Sequence, residues 1–180
     1  MLRTRILLSL LFVCILFPAG CRRGENTAEP EAFSFVVYPG SRYLGQLTEK
    51  TKEAHRLIDP STEPPPTAIY DTDATLEAVA QFYADSYGYG EVKGETAAAS
   101  AGTEKPQAYY TSGDVAADTK ALEELLRKME MPTDISKASG SYRAAQIAPR
   151  RHRPRVTVQR PYFDVTTSEM VDRTLITMTR

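Results

Sequence analysis

Two groups of residues in this 180-residue chain have the types and spacing for chemistry: the acids of Asp71-x-Asp73-x-Thr75, and the arginines Arg150, Arg151, Arg153 and Arg155 of APRRHRPRV. The acids open like a calcium loop. Such a loop needs Gly at its sixth position for the sharp turn and a bidentate Glu at its twelfth, and here those positions hold Leu76 and Phe82. Asp73 fits better as a helix N-cap, where a carboxylate accepts from an otherwise unpaired backbone N–H. Glu123 and Glu124 lie four residues before Arg127 and Lys128, the spacing of solvated ion pairs on one helix face. His55 and His152 are the only histidines and Cys14 and Cys21 the only cysteines, so no zinc spacing can be written. His152 stands in a basic loop with no G-x-S-x-G nucleophile motif, and no phosphate-binding glycine loop occurs. The sequence therefore implies no metal, no cofactor and no identifiable catalytic group.

The arginine run is the chemical feature that survives these tests. No acid lies between Asp134 and Asp164, whereas Lys137, Arg143, Arg150, Arg151, Arg153, Arg155 and Arg160 all do. Residues 21–134 carry 11 Lys/Arg against 20 Asp/Glu, and residues 135–180 carry 9 against 3. In an extended segment Arg151, Arg153 and Arg155 would share a side, because side chains alternate with period two. Such a row could grip phosphate or carboxylate groups in bidentate fashion. The plainer alternative is an exposed basic loop that balances the acidic front of the same domain. Nucleic acid is not the expected partner, because residues 21–180 are net acidic.

Cys21 is the second reactive candidate. Arg3 and Arg5 precede an apolar run, Ile6–Phe17, and Pro18-Ala19-Gly20 leads into the cysteine. That is the layout of a secretory signal. Twelve residues are too few for a spanning helix, which needs about 20. The small residues before Cys21 resemble the lipobox of bacterial lipoproteins: Ala19, Gly20 and Cys21 match its last three positions, with Pro18 where the family usually has Leu. The resemblance implies that Cys21 takes a diacylglyceryl group on sulfur, becomes the first mature residue after cleavage, and is acylated on its new amine. Cys14 would be discarded with the signal, leaving no pair for a disulfide. Several acyl chains exceed what stable anchoring requires. Because Arg22 rather than Asp follows, the sorting pattern of that family implies an outer membrane, with the domain facing the periplasm. Cys21–Ala32 (CRRGENTAEPEA) lacks apolar periodicity and reads as a flexible tether that reaches roughly 40 Å when fully stretched.

The elements around these groups follow from patterning. Phe33–Tyr38 (FSFVVY) reads as a strand and Pro39-Gly40 as a type II turn. Arg42–Leu47 is a possible returning strand, Glu49–Leu57 a short helix or loop, and the proline-rich 59–67 a rigid connection. Ala68–Tyr70 is a short strand. A helix follows from Asp73 as N-cap to Gly88 as terminating glycine, with Leu76, Val79, Ala80, Tyr83 and Tyr87 on one face. Glu95–Lys105 reads as a loop and Ala108–Thr111 as a strand. A second helix spans about Val115–Met129 on a Leu122, Leu125, Leu126, Met129 stripe. The stretch 131–141 reads as loop, and alternation predicts two late antiparallel strands around Val156–Val158 and Arg173–Thr179. The turn at Tyr38-Pro39-Gly40, and Thr72, Asp73, Val79, Phe82 and Tyr83, resemble a group of small envelope lipoproteins with a Y-P-G-A-like turn and a T-D-x5-V-x2-F-Y-like helix. That resemblance supports the fold and the address and carries no chemistry.

The expectation is a signal peptide over 1–20, a tether over 21–32 and one α+β domain over 33–180, with two amphipathic helices on one face of an antiparallel sheet. Its expected core is Val36, Val37, Leu76, Val79, Tyr83, Leu122, Leu125, Leu126, Val156, Val158, Leu175 and Ile176. The expected function is that of a non-enzymatic, lipid-anchored envelope protein. It would bind or space an envelope component, with anionic lipid or a phosphorylated polymer as candidate partner of the arginines. Two other classes fit the same residues. One is a small hydrolase or carbohydrate-active enzyme using unidentified carboxylates, which requires a pocket with convergent ionisable groups. The other is a docking partner of a membrane-embedded complex, which requires a sizeable exposed apolar patch.

Overall fold

Gly40 takes the left-handed conformation (φ +76°) that only glycine adopts freely, and Ser41 N–H donates to the Tyr38 carbonyl at 3.2 Å, closing the expected turn. The computed structural model in which this is seen describes residues 36–94, 107–128, 130, 133–150 and 152–180. Cys21, the signal and tether, the 95–105 loop, Met129 and Arg151 lie outside the described residues.

The segment before the turn departs from expectation. Residues 36–38 form no strand, and Val36 is 58% exposed rather than part of the core. Tyr38 N–H donates to the Tyr83 hydroxyl instead of to a ladder, so a side chain satisfies the backbone there. After the turn only Arg42–Tyr43 (β1) is extended. It pairs not with what precedes it but antiparallel with Thr67–Thr72 (β2). Gly45–Ile58 is a full helix, α1. Its Thr48 is fully buried, and its hydroxyl accepts from Ile69 N–H (3.1 Å) while donating to Leu44 O (3.0 Å). One side chain thus completes the ladder where β1 has already ended.

Helix α2, Leu76–Tyr87, ends at Gly88 in the left-handed conformation as expected. Its N-cap is Thr75, which accepts from Ala78 N–H at 3.3 Å, not Asp73. Arg173 holds the Asp73 carboxylate, and β2 runs extended through Thr72 before the helix can begin. Ala108–Asp114 (β3) leads directly into α3, Val115–Lys128, in which Leu122 and Leu126 are buried, Leu125 is half-buried and Glu124 pairs with Lys128. The stretch read as loop holds a 3-10 turn at Ile135–Lys137. It is followed by a strand the pattern does not announce, Ser141–Ile147 (β4). The chain closes with β5 (Arg155–Arg160), the short hairpin β6 (Tyr162–Asp164) and β7 (Glu169–Val171), and β8 (Thr174–Thr179).

Six strands pair antiparallel in the order β1-β2-β8-β5-β4-β3, and β6 pairs with β7 apart from them. The architecture is α+β, with a difference in layering. On one face Ala68, Tyr70, Ala145, Ile147, Val156, Val158, Ile176 and Met178 pack with Leu76, Val79, Tyr83 and Tyr87 of α2. On the other, Ile69, Tyr142, Ala144 and Leu175 pack with Leu47 and Ala54 of α1, Leu122 and Leu126 of α3, and Phe163 and Val165. The two helices expected on one face therefore lie on opposite faces, because the central strands are buried on both sides. All six residues of β2 and five of six in β8 are buried.

Candidate functional site

The strand register places the arginine run at one end of the sheet. Thr67 opens β2 opposite Thr179, which closes β8 opposite Arg155, the first residue of β5. Ile147 closes β4 opposite Val156, so residues 148–154 cross from β4 to β5 at this same end. Helix α2 ends there too, since the Tyr87 hydroxyl donates to Pro154 O at 2.8 Å.

Arg150 occupies the terminus of α2. Its Nη1 donates to the Tyr87 carbonyl and, at 3.1 Å, to the Gly88 carbonyl. The last carbonyls of a helix lack intrahelical partners and carry the negative end of its dipole, so a guanidinium is well matched to them. The same group lies 5.4 Å from the centre of the Tyr89 ring, whose hydroxyl donates to Ala148 O (3.1 Å) and Pro149 O (3.3 Å). Arg153 lies 5.2 Å over the Tyr87 ring, a cation–π contact. Burial pushes the Tyr87 phenol well above its ordinary value, and the Arg153 charge pulls it partly back. The tyrosines thus stitch the connection to the helix, and the arginines lie on the stitching.

The arginines do not form one straight row. Arg153 N–H donates to Arg150 O at 3.0 Å, a turn that breaks the period-two alternation before the strand starts. Arg150 and Arg153 sit with α2. Arg155 begins β5 with the alternation opposite to Val156, which faces α2, so it belongs to the α1/α3 face. Arg151 is outside the described residues, and His152 is exposed.

The opposite end of the sheet treats arginine differently. Asp71 of β2 is fully buried. Arg42 reaches it through Nε and Nη2 (3.1 and 2.7 Å), Arg173 through Nε (2.9 Å), and the Tyr162 hydroxyl at 3.3 Å. Arg173 also pairs with Asp73, Arg160 with Asp172 (2.8 Å) and Arg143 with Glu77 (2.6 Å). The hydrogen bond to Asp71 raises the Arg42 pKa, that to Asp73 raises Arg173, and Arg160 lowers Asp172. At this end four arginines meet carboxylates. At the other, among the described residues, carbonyl oxygens and ring faces hold Arg150 and Arg153 and orient their guanidinium groups. An oriented guanidinium whose partners among the described residues are carbonyl oxygens and ring faces is suited to an anion.

The Asp71 network was hidden from sequence reasoning because its members are 29, 91 and 102 residues apart; the legible signal was a lone Asp inside an otherwise strand-like TAIYDT. Among the described residues no group of three or more His, Cys, Asp or Glu stands close enough to hold a metal, and no helix is long and apolar enough to cross a membrane. Comparison with protein-family models, with curated proteins and with solved structures finds no match for this chain.

Proposed function

We propose that the protein is a non-enzymatic, lipid-anchored component of a bacterial envelope, with its lipid on Cys21 and an α+β domain that binds or spaces an anionic envelope component. The observation that carries the binding half is the contrast between the two ends of the sheet. Among the described residues, Arg150 and Arg153 are held by the α2 carbonyls and by the Tyr87 and Tyr89 rings rather than by carboxylates. The anchoring half rests on Ala19-Gly20-Cys21 behind the apolar run Ile6–Phe17, and on Arg22, whose place after the cysteine favours an outer membrane over an inner one. With 14 residues between Cys21 and Val36, the domain stays within about 50 Å of the bilayer surface.

Mass spectrometry of the mature N-terminal peptide tests the anchor. A first residue at Cys21 carrying diacylglycerol is expected. A free thiol, or a first residue elsewhere, removes the proposal. Membrane fractionation tests the address, and recovery wholly in an inner membrane would overturn it.

A further inference from the structure

We draw no further inference here: the strongest candidate, the exposed apolar surface patch of Leu57 and Ile58 in the last turn of α1, carries none because nothing in the structure shows what covers it.

Discussion

Replacing Asp71 by Asn should cost the domain about 3 kcal/mol, a value that follows from how its carboxylate is shared. The side chain has no exposed surface and accepts four hydrogen bonds, two from Arg42, one from Arg173 and one from Tyr162. Hydrogen bonds to a charged group contribute about 1.5–3 kcal/mol each, but they are not additive, and breaking a buried ion pair typically costs about 3–5 kcal/mol. Here the arginine side chains are 66% and 28% exposed, so both recover water when the carboxylate is lost, which moves the expectation to the low end. Tyr162 recovers less, being buried. In urea, with a slope of about 2 kcal/mol/M, the midpoint should fall by about 1.5 M. Glu77→Gln is the internal control. Its pair with Arg143 is equally short at 2.6 Å, but both side chains are half exposed, so the expected loss is below about 1 kcal/mol. Equal midpoint shifts for Asp71→Asn and Glu77→Gln would refute the reasoning, since burial would then add nothing to the ion pair.

Three further outcomes are expected. Burial raises the phenol pKa values of Tyr83, Tyr87 and Tyr142. The folded state thus holds these protons more tightly than the unfolded one, and stability is full below about pH 10 and lost above it by about 1.4 kcal/mol per pH unit for each tyrosine. Absorbance of tyrosinate should rise together with loss of circular dichroism, and ionisation of all three with the fold intact would contradict this. Gly113→Ala drives a methyl group into the Tyr142 ring, which its hydrogen bond to Asp118 (2.6 Å) holds in place. The melting temperature should drop by an amount equivalent to about 1–3 kcal/mol, and an unchanged value counts against the packing described. Thr48→Val keeps the shape but leaves the Ile69 N–H without its acceptor, at about 1–3 kcal/mol by denaturant titration. A neutral result would mean that the N–H finds another partner.

Local signals in the sequence placed most of the elements and failed where a distant partner decided the outcome. The face of α2, its terminating Gly88, the Pro39-Gly40 turn and the alternation of β5 and β8 depend on neighbours within a turn or two, and those readings hold. β4 escaped because Tyr142-Arg143-Ala144-Ala145-Gln146 has little intrinsic preference for a strand. Its alanines are buried because helices lie against both faces of the sheet, Ala145 toward α2 and Ala144 toward α3. The layering failed for the same reason. TLITMT alternates by residue class, and alternation implies one buried face. Yet the threonines Thr67, Thr72, Thr174 and Thr177 are buried as well, so both faces are covered. Val36 shows the converse: an apolar, β-branched residue with no strand to join stays in solvent.

The arginine run was visible as composition, but what it can do was not. An extended reading made Arg151, Arg153 and Arg155 equivalent, whereas the Arg150–Arg153 turn sends Arg153 to the α2 side and leaves Arg155 to open β5 on the other. Counting charges also could not tell a matched guanidinium from an unmatched one. Arg42, Arg143, Arg160 and Arg173 meet carboxylates that lie 29, 66, 12 and 102 residues away in sequence. Arg150 and Arg153 instead meet carbonyl oxygens and tyrosine rings. A guanidinium against a carboxylate has its charge cancelled locally, whereas one against a helix terminus is held by partial charges and keeps a field that reaches solvent. The acid-free stretch of sequence matters, on this account, because the connection that carries Arg150 and Arg153 supplies no carboxylate of its own beside them.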